Sequence, residues 1–284
     1  MPRLGAHTFV WAPEWTTETA GRILADAAAA GLGVVEIPLL RPDEIDVAAT
    51  RELASRHGVG LTCSLGLPPH ATLPDHPAEA EAFLSRALEV AAALGSPCLT
   101  GVTYSTIGKL TGVPPSEAEY VAIARALRPV ADRASALGLR LGMEPCNRYE
   151  THLLNLGRQG VELIERIGAD NVFVHLDTYH MNIEEKGLAP AIVALGRHLG
   201  YLHLSESDRG VPGTGNVDWD GVFAGLAEIG YDGDMVVEAF LHLHPDIARA
   251  LAVWRPVAPS TSVLIDQGMA FLRGRARAHG FRDL

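Results

Sequence analysis

The strongest constraint on the fold is a unit that recurs along the chain: an Ala/Leu-rich amphipathic helix ends at a glycine, and a short β-type run follows. The junctions read "AAAAGLGVVEIPL", "ASRHGVGLTCSLGL", "AAALGSPCLTGV", "ASALGLRLGME", "IERIGADNVFVHLD", "GRHLGYLHLSE" and "LAEIGYDGDMVVEAF". In each, a glycine (Gly31, Gly58, Gly95, Gly138, Gly168, Gly200 or Gly230) stands where a left-handed helix C-cap is needed. The N-terminal run "RLGAHTFVW" brings the predicted strands to eight. Alternation of this kind implies parallel strands joined by helical crossovers. Eight such units in 284 residues predict an α/β fold, a closed (β/α)8 TIM barrel. An open doubly wound sheet would instead show a glycine-rich phosphate turn after the first strand, and "WAPEWTT" has no glycine. No linker or shift in composition divides the chain, so residues 1–284 are expected to form a single barrel domain.

Charge and cysteine usage narrow the partners. The formal charge of −11 repels a phosphate backbone, so nucleic-acid binding is not expected. The N-terminus "MPRLGAHTFVW" lacks the apolar core of a secretory signal, and no stretch has the roughly 18 apolar residues of a membrane span. Cys63, Cys98 and Cys146 show no paired spacing, which suggests a reducing compartment. A cytoplasmic protein without membrane partners is the expectation.

In such barrels the chemistry sits at the C-terminal ends of the strands. From strand five onward those ends carry Glu144 ("GMEP"), Asp177 ("HLDT"), His203 ("LHLSE") and Glu238 ("VVEAF"), spaced by 33, 26 and 35 residues. Three carboxylates at one mouth would repel and raise one another's pKa values. A divalent cation removes that conflict. Three oxygen donors and one nitrogen, without a thiolate, favour Mn²⁺, with Mg²⁺ or Co²⁺ as alternatives. A lone strand-end acid is as often a helix N-cap or a salt-bridge partner; four in succession after apolar runs make a metal site the better reading. His175, two residues before Asp177, is expected deeper in the barrel as a hydrogen-bonded core histidine. Glu206 is expected to face away from His203, with an orienting or structural role.

These segments resemble the ketose 3-epimerases, the family of D-tagatose, D-allulose (psicose) and L-ribulose 3-epimerases within the xylose-isomerase-like barrels. The resemblance is carried by "MEPCNRYETHLLN", "HLDTYHMNIEE", "LHLSESDRGVPGTGNVDW", "VVEAF", "VWRP" and "VWAPEW", and spans essentially the whole chain. It implies that Glu144, Asp177, His203 and Glu238 are the metal ligands, with Glu144 and Glu238 doubling as the catalytic acid–base pair. It implies that Glu150, His180 and Arg209 hold the O1–O3 end of the sugar, that Trp15 and Phe240 are apolar neighbours of the substrate, and that the enzyme is a homodimer or homotetramer. "EAF" departs from the family's Glu-Pro-Phe or Glu-Ser-Phe, and His242 and His244 in "HLHPDIARALAVW" have no counterpart. The loops 66–77 and 104–116 meet the far end of the sugar in this family, which leaves the preferred sugar open.

The groups themselves suit the implied reaction. Inverting C3 of a ketose removes a proton next to a carbonyl and returns it on the opposite face of an enediolate. A Lewis acid stabilises the charge that develops, and two carboxylates on opposite sides serve the two faces. Glu144 on strand five and Glu238 on strand eight fit that division. Arg209, in the loop "DRGVPGTG", is the expected donor to a substrate oxygen; Arg148 could equally be a structural partner of the site carboxylates. Three other functions compete: an aldose–ketose isomerase, a metal-dependent endonuclease, and a sugar-binding barrel without turnover. The expected substrate is an unphosphorylated ketose, because "DRGVPGTGNVD", the nearest candidate for a phosphate cradle after strands seven or eight, carries two acids, and the charge of −11 disfavours anionic substrates.

Overall fold

The computed structural model describes residues 2–243, 247–248, 251–282 and 284, so His244 lies outside the described residues. Eight parallel strands close into a barrel: β1 (Leu4–His7), β2 (Val34–Pro38), β3 (Gly60–Gly66), β4 (Cys98–Val102), β5 (Arg140–Met143), β6 (Val172–Asp177), β7 (Leu199–His203) and β8 (Met235–Val237). Each pairs with its successor, and β8 returns to β1 through Leu4↔Met235, Gly5↔Val236 and Ala6↔Val237. The outer ring holds α1 (Thr17–Ala29), α2 (Val47–His57), α3 (Pro77–Leu94), α4 (Glu117–Ala136), α5 (Gly157–Ile167), α6 (Thr178–Glu184), α7 (Leu188–Leu195), α8 (Trp219–Glu228) and α9 (Met269–Ala278). The expected (β/α)8 barrel is the observed one. No helix among the described residues is long and apolar enough to cross a membrane.

Six of the seven junction glycines have left-handed backbone, with φ between 64° and 82°. Gly200 does not. The helix before it, α7, ends earlier, at Gly196 with φ 50°, and a 3₁₀ turn leads into β7, which contains Gly200. Gly200 is required for another reason: a Cβ there would lie 2.5 Å from the Phe173 ring.

Phe173 belongs to the floor of the barrel. Val34, Cys98, Phe173, Tyr201 and Val236, from β2, β4, β6, β7 and β8, form a small apolar cluster of their own. Their strand neighbours Val35, Leu99, Val174, Leu202 and Val237 face the larger core shared with the helices. This is the period-two alternation of a strand buried on both faces. Where one strand contributes a bulky side chain to the floor, its neighbours contribute glycine. Above the floor the interior turns polar. Tyr201 lies 2.8 Å from Thr62 across the barrel and donates to Glu36 at 2.7 Å, while His175 Nδ1 meets Thr100 Oγ1 at 3.1 Å.

The floor generates a prediction. A Cβ on Gly142 would lie 2.1 Å from Thr100 Oγ1 and 2.6 Å from the Phe173 ring. Gly142→Ala is expected to destabilise the fold by roughly 1–3 kcal/mol through overpacking, read as a lower midpoint in urea unfolding. An unchanged midpoint would mean that Phe173 can turn aside and that the floor is not close-packed.

Candidate active site

The four strand ends converge. The ligand atoms of Glu144, Asp177, His203 and Glu238 all lie within 4.8 Å of one another, and all four residues are buried. His203 Nδ1 is central to the group, 3.7 Å from Glu144 Oε1, 4.0 Å from Asp177 Oδ2 and 3.5 Å from Glu238 Oε2. That nitrogen is buried and has no hydrogen-bond partner among the described residues. Its sister nitrogen Nε2 is engaged by Glu36 at 2.8 Å. The ring therefore directs an unpaired nitrogen at three carboxylates, which is the donor set that a divalent cation takes.

Each ligand is held by the local fold. The Glu144 backbone N–H continues the β-ladder to Gly101 at 2.9 Å, and the Tyr104 hydroxyl donates to the Glu144 carbonyl at 3.0 Å. Asp177 ends β6 and caps α6: its Oδ1 accepts the Tyr179 N–H at 2.8 Å, which leaves Oδ2 for the site. The bland and the functional readings of this strand-end acid thus both hold, one oxygen each. One helical turn later α6 returns His180 to the same place, with Nε2 3.8 Å from Glu144 and 3.9 Å from Asp177.

Asn147 organises the near wall, a residue the sequence reading left without a role. Its backbone N–H (3.1 Å) and its side-chain amide (2.9 Å) both face His180 Nδ1, and the same amide donates to Glu150 Oε1 at 2.8 Å. His180 Nδ1 is thereby an acceptor, and Nε2 carries the hydrogen towards the site. In "EPCNRYE" Asn147 sits three residues before Glu150, the acid it donates to, and three after Glu144.

Arg209 lies across the site. One guanidinium nitrogen donates to Asp177 Oδ2, and to Glu238 Oε2 at 2.6 Å; the group is stacked between Tyr179 and Phe240, 4.0 and 4.6 Å from their ring centroids. Its backbone is left-handed, with φ 64°, a conformation costly for a residue with a side chain. Glu206 holds the loop in that shape. Facing away from the site as expected, it accepts from the N–H groups of Ser207, Gly213 and Val217 and from the Trp219 indole. Arg148 turns outward to pair with Glu184 at 2.8 Å, which makes it a structural partner of α6 and not of the site carboxylates.

The electrostatics follow from burial. Burial, together with the charges of Glu238 and Asp177, pushes Glu144 up to about 7, and burial also raises Asp177. Glu150 is pushed up to about 7, chiefly by burial. Burial would raise Glu238 too, but His203 and Arg209 outweigh it and hold that carboxyl well below its usual range. Burial and the nearby Arg209 keep His180 neutral. Buried carboxylates so arranged call for positive charge.

Glu144, Glu150, His180, His203, Arg209, Glu238 and Phe240 line one cavity of about 380 Å³, within the range of small-molecule sites. Its far end is apolar, formed by Phe9, Leu40, Leu65, Leu67 and Ile107 among others, and the loops 66–77 and 104–116 contribute to it through Gly66, Leu67, Pro69, Thr106 and Ile107. Asp177 is at the metal cluster beneath. Trp15 is not brought to this cavity: its indole donates to Thr50 at 3.1 Å, and its ring lines an adjoining recess with Pro13, Arg41 and Ile45. His242 is exposed and meets Thr261 at 3.2 Å, away from the site.

Comparison with known proteins agrees with this geometry. The family model for xylose isomerase-like TIM barrels matches residues 24–257. An L-ribulose 3-epimerase of Methylomonas sp. (strain DH-1) is 38% identical over 277 residues, covering 95% of this chain and 96% of that protein. A ketose 3-epimerase of Arthrobacter globiformis is 38% identical over 283 residues, 97% of each. The crystal structure of a D-allulose 3-epimerase from Methylomonas sp. in complex with D-allulose superposes with a TM-score of 0.92 at 37% identity, covering 96% of this chain and 97% of that one. The chain belongs to the ketose 3-epimerase family within the xylose isomerase-like TIM barrels, and it is an enzyme of the carbohydrate isomerase class.

Asn147 supplies this subsection's prediction. Asn147→Ala removes the amide shared by His180 and Glu150 but keeps the backbone donor. It is expected to lower kcat/KM by about 10-fold, the equivalent of one lost hydrogen bond at about 1.4 kcal/mol, with bound metal unchanged. Wild-type kinetics would show that the amide does not hold the wall.

Proposed function

We propose that this enzyme inverts C3 of free ketohexoses or ketopentoses, of the D-allulose/D-fructose, D-tagatose or L-ribulose type. The observation that carries the reading is the placement of two carboxylates, Glu144 at the end of β5 and Glu238 at the end of β8, each within 4 Å of His203 Nδ1 and both lining one cavity. A binding barrel without turnover has no use for the second carboxylate. Relatives that bear the names of L-ribulose and ketose 3-epimerases support the same reaction.

Glu144, Asp177, His203 and Glu238 would hold a divalent cation, Mn²⁺ foremost with Mg²⁺ or Co²⁺ as alternatives. Such a cation supplies Lewis-acid stabilisation of the negative charge that develops on the sugar oxygens. The chain's own groups carry the proton. One of the two glutamates removes the C3 hydrogen, and the other returns a proton to the opposite face of the planar enediolate. His180 Nε2–H, Glu150 and the Arg209 guanidinium surround the same end of the cavity and orient the sugar's O1–O3 end; Phe240 packs beside them. Among the residues that line the cavity Arg209 is the one guanidinium, and it is already engaged by Asp177 and Glu238, which favours an uncharged sugar over a phosphate ester. The buried free thiols of Cys63, Cys98 and Cys146 support a reducing, cytoplasmic setting.

Three experiments test the reading. Chelation is expected to abolish turnover and Mn²⁺, Co²⁺ or Mg²⁺ to restore it; full activity of a metal-free preparation overturns the cofactor. In D₂O, the product ketose is expected to gain deuterium at C3 and none at C1. Glu238→Gln is expected to slow epimerisation by about 100-fold or more, the scale of one lost acid–base group. Deuterium at C1 or C2 with accumulating aldose would favour the aldose–ketose isomerase instead.

A further inference from the structure

Glu36 is a carboxylate that the reaction above does not use. It stands in β2, in "VVEIP", wholly buried, and no lysine or arginine meets it among the described residues. A buried carboxylate of this kind is costly unless hydrogen-bond donors receive it. Two donors receive it, both at one oxygen, while Oε1 has no hydrogen-bond partner among the described residues. Its Oε2 accepts from the Tyr201 hydroxyl at 2.7 Å and from His203 Nε2 at 2.8 Å. His7 Nδ1 accepts the Phe9 N–H, so the hydrogen of His7 sits on Nε2, which faces Glu36 Oε1 at 3.8 Å. Because Tyr201 donates to Glu36, the hydroxyl of Thr62, 2.8 Å away, donates to Tyr201. Donors thus converge on Glu36, from Thr62 through Tyr201 on one side and from His203 on the other.

We infer that Glu36 is a positioning residue for the metal centre: it fixes the hydrogen of His203 on Nε2, so that Nδ1 presents its lone pair to the cation between Glu144, Asp177 and Glu238. The inference rests on the metal-binding reading of those four residues. Two further contacts lock the ring plane. His175 packs edge-on against His203 with centroids 4.1 Å apart, and Tyr201 does so at 5.8 Å. A ligand imidazole that donates its other hydrogen to a carboxylate is both oriented and made more basic. Glu36 supplies this from the opposite wall of the barrel, with 167 residues of chain between the two partners. Tyr201 in turn holds the Glu36 oxygen that His203 uses, so the chain works as one rigid part.

The test measures metal affinity and a metal spectrum on the full-length protein, with activity set aside. Mn²⁺ titration calorimetry is run on wild type, Glu36→Gln, Glu36→Leu and Tyr201→Phe, with the Tm of each metal-free protein as the check on folding. Glutamine keeps an oxygen for Tyr201 and His203 but loses the charge, and Kd for Mn²⁺ is expected to weaken about 10-fold; leucine removes the acceptor, with about 100-fold expected. Tyr201→Phe leaves the Glu36–His203 pair in place, so a smaller loss is expected. The visible band of the Co²⁺-loaded protein is expected to move in the leucine variant, which a purely structural role of Glu36 would not cause. If Glu36→Leu does not fold, Glu36→Gln and Tyr201→Phe decide. Folded variants that bind Mn²⁺ with wild-type affinity overturn the inference and leave the metal site standing. A wild-type protein that takes up no Mn²⁺, Mg²⁺ or Co²⁺ overturns the metal reading, and this one with it.

Discussion

Three carboxylates buried within 4.8 Å of one another repel, and much of the upper barrel is arranged around that repulsion. Closing the sheet from β1 to β8 brings the ends of β5, β6 and β8 to one point, so their acids cannot separate without opening the ring. Positive charge has to come to them. Arg209 is sent there from a loop that must adopt a left-handed turn at the arginine itself, and four donors to Glu206 hold that loop in place. The aromatic faces of Tyr179 and Phe240 then keep the guanidinium in position without adding a further charge. A strained backbone, an outward-facing glutamate and two rings all serve one electrostatic demand.

The interior below the site is built in layers, and the order of the layers matters. At the floor, Val34, Cys98, Phe173 and Val236 exclude water, with Gly142 and Gly200 making room for the phenylalanine. A polar layer directly above water-filled space would not hold fixed directions. Above this dry floor the hydrogen bonds of Thr62, Tyr201, Glu36, Thr100 and His175 have no solvent to compete with, which strengthens them and leaves each group few alternatives. The cluster of Glu144, Asp177, His203 and Glu238 therefore rests on a layer of fixed dipoles, which is the condition for holding charged groups without reorganisation.

The sequence made most of the frame legible and only part of the site. The glycine-capped helices could be read because left-handed caps are a local requirement: Gly31, Gly58, Gly95, Gly138, Gly168 and Gly230 answer to their own φ. Gly200 was misread as a cap because its requirement is not local; Phe173, on the next strand, excludes any side chain there. Glu144, Asp177, His203 and Glu238 were legible because each breaks an apolar run at a strand end. Glu36 breaks such a run as well, but on β2, outside the series of four, and its purpose appears only when the barrel closes β2 against the His203 ring. Trp15 shows the converse. Its place in a resembling motif suggested the substrate cavity, yet the indole is committed to Thr50 and an adjoining recess. Motif position carries a backbone location, not the direction of a side chain.

The cavity divides in the same way that the sequence did. At its inner end most wall residues are charged or hydrogen-bonded, and under the proposed reaction a ketose presents its O1–O3 end to them. At its outer end Leu65 of β3 and Phe9, Leu40, Leu67 and Ile107 of the segments that follow β1, β2, β3 and β4 present apolar surface. Apolar walls discriminate by size and shape, and one methylene more or less changes binding by only about 1–3 kcal/mol, whereas an unmatched buried hydrogen-bonding group costs far more in selectivity. The inner end thus defines the reaction and the outer end grades the sugars. This is why strand-end carboxylates mark the site in the sequence and the resembling motifs point to a ketose epimerase, while the identity of the ketose does not follow from any motif. The loops 66–77 and 104–116 reach the cavity through residues that neither strand periodicity nor a charged ligand marks in the sequence.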